Sequence, residues 1–205
     1  MARYGIDYLR AADINAIHFI DVACFPTPWS ADTYLQELRA PQDSRYVVAR
    51  FSLAEKASTT VHSPKSGNFL QALLQQRANT PTVKNGAIVG HAGIMRTPTG
   101  GHITTLAVHP QHRGQGVGEL LLLALIEQAY DLDVRRLALE VRSTNLPAQR
   151  LYTKYGFVQT HIEAGYYRDN GEDALSLSIA DITALSFREH TKQLSDALYR
   201  RFTQK

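Results

Sequence analysis

"LAVHPQHRGQGVGELLLLALIEQ", Leu106 to Gln128, places a glycine-punctuated loop between a short apolar run and a long amphipathic one. Strand, glycine loop and helix together can hold a phosphate, on backbone N–H groups and the positive end of the helix. The glycines stand at Gly114, Gly116 and Gly118, and no Lys-Ser/Thr pair follows them. That spacing is neither a P-loop nor the G-x-G-x-x-G of a dinucleotide fold. Two readings remain. Main-chain amides hold a pyrophosphate with Arg113 nearby, or the stretch is an ordinary strand–helix turn.

Outward from the loop, His102–Val108 reads as the strand that feeds it, with Gly86–Met95 as its partner across "RTPTGGH". The helix runs from about Gly116 to Tyr130, and "RRLALEV" is a strand apolar enough for a central position. Asn145 opens another helix with Pro147 in its first turn, and Gly156 ends it. "VQTHIEA" and "ALSLSI" alternate, a final antiparallel pair joined by "GYYRDNGED". Upstream, Asp7–Leu9 is a first strand, Asp13 caps a helix, and Ser30 after "FPTPW" caps Ala31–Arg39. Tyr46–Phe51 is a strand, and Ser52–Asn85 is irregular and polar, with one helix in "FLQALLQQR". Asp181–Phe202 reads as a terminal helix with Leu194, Leu198 and Phe202 on one face. The order is an α/β sheet, with a hairpin before the loop and a βαβαβ run after it.

The 205 residues suit one domain with a core of its own. The single Cys24 rules out an internal disulfide framework and a multi-cysteine metal site. The eight histidines lack metal-like spacing, and no metal is expected. The absence of a membrane-length apolar run or a signal-like N-terminus points to the cytoplasm and to no membrane partner. The net charge of +3 is uneven: residues 52–85 and 188–205 each carry +3, leaving −3 for the rest. Such appendages are solvated faces, or docking surfaces for polyanions such as RNA.

"QHRGQGVG" resembles the Q/R-x-x-G-x-G/A signature of the GNAT superfamily of acetyl-CoA-dependent N-acetyltransferases. "LALEVRSTNLPAQRLYTKYGF", "FPTPWS" and "GYYRDNGEDALSLSI" are similar to segments of its branch that acetylates protein N-termini, notably bacterial ribosomal-protein-alanine N-acetyltransferases. The resemblance spans most of Asp7–Ile179 except residues 52–85. It implies a mixed, mostly antiparallel sheet, flanked by helices and splayed at one parallel pair where acetyl-CoA binds. The domain would cover residues 1–183 with the insertion at about 52–85, followed by a basic helical extension over 184–205. The resemblance also implies pyrophosphate contacts from His112, Arg113, Gly114, Gln115, Gly116 and Val117. Backbone groups of Leu106, Ala107 and Val108 would pair with pantetheine. Asn145 matches a cofactor contact, and helix capping explains it equally well.

The same resemblance assigns Glu140 as general base and Tyr152 as general acid, and sets Tyr166 and Tyr167 along the acceptor groove. Each has a plainer reading: a buried structural Glu, a core Tyr, two tyrosines covering a sheet edge. A peptide α-amine near ~8 and a Glu near ~4.3 leave direct proton transfer uphill by roughly 3.5 pKa units, about 5 kcal/mol. A lysine amine near ~10.4 adds roughly 3 kcal/mol more, so the base suits α-amines better. Cys24 as an acetyl carrier is weaker than Cys24 as core. The acceptor implied is a protein N-terminus, an Ala of a small ribosomal subunit protein. A lysine or small-amine acetyltransferase on the same scaffold stays open, as does a CoA-binding module without chemistry.

Overall fold

Runs of β-branched and small residues zip the N-terminal part of the chain into a continuous antiparallel ladder. It is made of β1 (Ala2–Tyr8), β2 (Ser44–Leu53), β3 (Ala87–Thr97) and β4 (Gly100–Val108). The computed structural model describes residues 2–53 and 86–203, so the expected helix in "FLQALLQQR" lies outside the described residues. β5 (Leu137–Arg142) joins β4 in parallel, through Gly101–Leu137 and His102–Ala138 alone. Beyond that point β4 and β5 part, which opens the sheet. β7 (Glu172–Ile179) then pairs antiparallel with β5, and β6 (Val158–Tyr167) forms the outer edge. The resulting order, β1-β2-β3-β4-β5-β7-β6, is the mixed and mostly antiparallel sheet that was expected.

One face of the sheet carries α1 (Ile14–Cys24) and α2 (Ala31–Leu38), packed through Ile17 and Tyr34 onto Val48. The other carries α3 (Val117–Asp131), α4 (Leu146–Lys154) and α5 (Leu185–Thr203). The caps follow the sequence: Ser30 Oγ accepts from Thr33 N–H at 3.1 Å, and Asn145 Oδ1 from Ala148 N–H at 3.3 Å. Gly156 follows α4 with φ +85°, the left-handed turn that glycine tolerates.

Several expectations need correction. α3 is not amphipathic: Leu120 to Ile126 are all at most 1% exposed, because α5 lays Leu198 and Phe187 against the same core. The Asp13 side chain does not cap α1; its Oδ2 accepts Arg10 N–H at 3.2 Å, at the head of the short 3-10 turn before that helix. The same carboxylate faces Arg50 at 2.7 Å, since a buried guanidinium needs a counter-charge. The first strand starts at Ala2 and pairs with β2 along its whole length. Tyr166 and Tyr167 lie in β6 itself, which runs further than its alternating segment, and β7 separates β6 from β5. Thr105 pairs with Gly93 and Ile103 with Ile94, so β4 carries a bulge at Thr104, just past the fork.

Candidate active site

The loop is shaped for an anion. Gly114 has φ +71° and Gly116 φ +92°, backbone states that L side chains rarely adopt. A Cβ on Gly114 would meet nothing within 4 Å, so the main chain there lies open to a ligand. Leu120 N–H makes the first intrahelical bond of α3, to Gly116 O at 2.9 Å. The N–H groups of Val117, Gly118 and Glu119 therefore have no acceptor within the helix and point out of its positive end. Side chains brace the loop from behind. The Tyr4 hydroxyl donates to Gln115 Oε1 at 2.6 Å and lies 3.1 Å from His112 Nδ1, while Gln115 Nε2 donates to Gln111 O. Burial and the neighbouring His109 lower the His112 pKa.

The open edge of β4 continues the site. His109 N–H bonds Val89 O on β3 at 2.8 Å. Main-chain groups alternate along a strand, which turns Ala107 toward β3 and leaves Leu106 and Val108 facing the gap. The Val108 carbonyl is already engaged by Arg113 Nε at 3.1 Å and the Cys24 thiol at 3.3 Å. Arg113 also reaches Cys24 Sγ at 3.3 Å, so its guanidinium braces the end of β4 in this structure. Glycine geometry, free helix amides and an open strand edge together fit a pyrophosphate with an extended amide-bearing arm.

Across the gap stands Glu140. On β5, Leu137, Leu139 and Val141 point into the core, which turns Glu140 and Arg142 to the other face. The Glu140 carboxylate interacts with the phenols of Tyr166 and Tyr167, and Tyr167 in turn with Tyr152. The four residues that the resemblance marked thus form a chain, from Glu140 through Tyr166 and Tyr167 to Tyr152. Tyr152 is 7% exposed and packs on Phe157 with ring centroids 5.6 Å apart. Burial, then the neighbouring Tyr167, push its pKa above the ordinary phenol range. Burial likewise raises Tyr166, and Tyr167 to about 12. Asn145 stands at the head of α4, with its oxygen used as a cap.

Two residues not singled out from the sequence complete the cluster. Arg142 stacks on the Tyr167 ring at 3.8 Å, binds Asp169 through two 2.9 Å bonds and meets Glu172 at 3.1 Å. Glu172 also accepts from Thr144 N–H and hydroxyl, which hold its pKa down at about 2. One arginine therefore ties the β6–β7 turn to the end of β5. The other residue is His102, whose Nε2 lies 3.1 Å from Glu140 Oε2. A cavity of about 410 Å³ lined by Leu146, Gln149, Arg150, Thr153 and Lys154 lies on α4, outside this constellation.

Known proteins share this frame. The profile of the Acetyltransferase (GNAT) family matches residues 14–157. The chain belongs to the GNAT acetyltransferase family. As an N-acetyltransferase of that family it uses acetyl-CoA as cosubstrate. A Bacillus subtilis protein named as a candidate ribosomal protein bS18-alanine N-acetyltransferase is 32% identical over 167 residues, 82% of this chain and 89% of that protein. The ribosomal protein bS18-alanine N-acetyltransferase of Escherichia coli K12 is 28% identical over 176 residues, covering 85% and 95%. The crystal structure of the E. coli ribosomal-protein-S18-alanine N-acetyltransferase superimposes with a TM-score of 0.61 at 24% identity. It covers 89% of this chain and 97% of that one. Ard1 of Thermoplasma volcanium superimposes with a TM-score of 0.63 at 23% identity, covering 86% and 96%.

Proposed function

We propose that this N-acetyltransferase acts on the α-amino group of a protein N-terminus, an Ala-type terminus of a ribosomal protein. Transfer is direct, with Glu140 as base and Tyr152 as acid. The observation that carries this reading is the convergence of Glu140, Tyr152, Tyr166 and Tyr167 at the fork of β4 and β5. The names of the bacterial relatives support the acceptor class.

Bound acetyl-CoA supplies an acetyl thioester whose carbonyl carbon accepts the amine. His112–Val117 would hold its pyrophosphate on loop and helix amides, and the open edge of β4 at Leu106 and Val108 would pair with its arm. Asn145 would add a side-chain contact. Glu140 takes the proton that the amine loses as the C–N bond forms. It is half-buried, with the phenols of Tyr166 and Tyr167 close enough to feel its charge. Tyr152 donates to the sulfur as the C–S bond breaks. Tyr166 and Tyr167 line the acceptor side, fixed by Arg142.

The test is coenzyme A thiol release with two peptides, one with a free N-terminal Ala and no Lys, the other N-terminally blocked and containing Lys. Release with the first alone is the expected result. Release with the second alone would move the acceptor to lysine and sink the N-terminal assignment. Glu140→Gln should cut kcat by at least about a hundredfold with acetyl-CoA affinity unchanged; unaltered turnover would remove Glu140 as base. Loss of thiol release with every acceptor, with CoA still bound by the wild type, would favour a binding module.

A further inference from the structure

The main chain of β4 changes sides at its bulge. Before it, Gly101 N–H donates to Arg136 O at 2.8 Å, so odd-numbered groups face β5. Beyond it, His109 N–H bonds Val89 O, so odd-numbered groups face β3 and even-numbered ones face the gap. One extra residue, Thr104, makes the difference. Without it, alternation would turn Ala107 to the gap in place of Leu106 and Val108. The side chains show the same slip. Ile103 lies in the core under α3, and Leu106 and Val108 pack against that core. Thr104 and Thr105 both turn to the α1–α2 face, where Tyr46 meets the first and Tyr34 the second.

What holds the bulge comes from β2. Tyr46 pairs with Gly93 of β3, and a Cβ on Gly93 would overlap the tyrosine ring. The missing side chain lets the ring lie across β3 and bring its hydroxyl to Thr104 Oγ1 at 3.2 Å. The same hydroxyl donates to Glu37 Oε2 on α2 at 3.2 Å, where Ser44 Oγ also donates at 2.8 Å. With the phenol proton on Glu37, the Thr104 hydroxyl is the donor to the Tyr46 oxygen. Burial pushes the Tyr46 pKa up, which keeps its proton in place. The Tyr34 ring closes over it edge-on with centroids 6.0 Å apart, and Tyr46 is 4% exposed. We propose that Tyr46 is a positioning residue for acetyl-CoA: by holding Thr104 it fixes the one-residue slip of β4, and so aims the main chain of Leu106 and Val108 at the arm of the cofactor. It acts from two strands away, through Thr104. The inference rests on that arm pairing with the open edge of β4.

The experiment compares two probes that differ by the arm alone, ADP and dephospho-coenzyme A, with dissociation constants measured by titration calorimetry. Wild type should bind dephospho-coenzyme A at least about tenfold more tightly than ADP, through the main-chain pairing of the arm. Tyr46→Phe keeps the ring and removes the hydroxyl. It should narrow that preference about fivefold, the scale of one hydrogen bond, with the ADP constant unchanged. Thr104→Val should do the same, and Thr104→Ser, which retains a hydroxyl, should keep the wild-type preference. The double variant Tyr46→Phe/Thr104→Val should lose no more than either single one. Thermal melting of each variant separates the two effects, because lost packing lowers the melting temperature without touching the preference. A wild-type preference in Tyr46→Phe, whatever its melting temperature, would overturn the positioning role. Losses that add in the double variant would overturn Thr104 as the route. Equal binding of both probes by the wild type would instead remove the paired arm on which the inference rests.

Discussion

A phenol buried as deeply as Tyr152 is a weak acid and a good hydrogen-bond donor. The ordinary gap between phenol and thiol is about 1.5 pKa units, and the raised pKa of Tyr152 widens it. On the proposed mechanism Tyr152 is therefore the donor of a strong hydrogen bond to the departing sulfur, a role that needs only its protonated form. The sign is clear: a raised pKa preserves the protonated form as pH increases. Wild-type kcat should not fall through Tyr152 between about pH 8 and 10, the ordinary phenol value. A pH–rate profile that bends down there, and loses the bend in Tyr152→Phe, would contradict this. Tyr152→Phe itself should lower kcat about a hundredfold with the KM for acetyl-CoA unchanged. At this scale the sequence shows Glu140 and Tyr152 through "LEV" and "LYTKYGF", segments contiguous in the chain. His102 and Arg142 are different. The partners of Arg142 at Asp169 and Glu172 lie 27 and 30 residues away, across a turn whose position no local pattern gives. His102 meets Glu140 only because α3 carries the chain back into a parallel pairing two residue pairs long.

The loop and the strand before it are the elements most legible in the sequence, because their demands are local. Positive φ at Gly114 and Gly116 and the apolar start of α3 at Val117 are all written within six residues. The two glycines do different work, and substitution should separate them. A methyl on Gly116 would come within 3.0 Å of Leu198 Cδ1 and 3.2 Å of Phe202 Cζ, besides needing a left-handed backbone. Gly116→Ala should thus destabilise the fold, by about 2 kcal/mol or more for strain and crowding together. A methyl on Gly114 would project into open space. Gly114→Ala should cost less stability, about 1–2 kcal/mol from φ alone, and raise the KM for acetyl-CoA where the added group obstructs the anion. Melting curves and KM values for the two variants check this. A larger stability loss in Gly114→Ala than in Gly116→Ala would refute the division. The insertion of β7 between β5 and β6 was less legible, since alternation marks strands but not their neighbours.

For the whole molecule, the C-terminal helix is what the sequence concealed most. Read from charge it is a basic appendage, yet it packs against the back of the glycine loop. The Phe202 and Tyr4 rings pack tilted with centroids 5.8 Å apart, and Tyr4 holds His112 and Gln115. Arg201 lies 3.4 Å from Glu119, a residue 7% exposed in the first turn of α3. Lys154 and Tyr155 at the end of α4 reach the same carboxylate, so Glu119 joins α3, α4 and α5 beside the anion-binding amides. A buried carboxylate there would repel a pyrophosphate unless cations offset it, and Arg201 and Lys154 do so. On the proposed reading the helix serves the site by holding the loop in shape and by supplying charge. Phe202→Ala should lower stability by about 2 kcal/mol, below the 3–5 of a fully buried Phe, and raise the KM for acetyl-CoA. Glu140 and the acceptor groove lie across the fork, so kcat at saturating acetyl-CoA and the KM for the peptide should stay near wild type. Steady-state kinetics with each substrate varied in turn decides it. A rise in the peptide KM alone would make α5 part of the acceptor side; no change in either KM would leave it a structural cover.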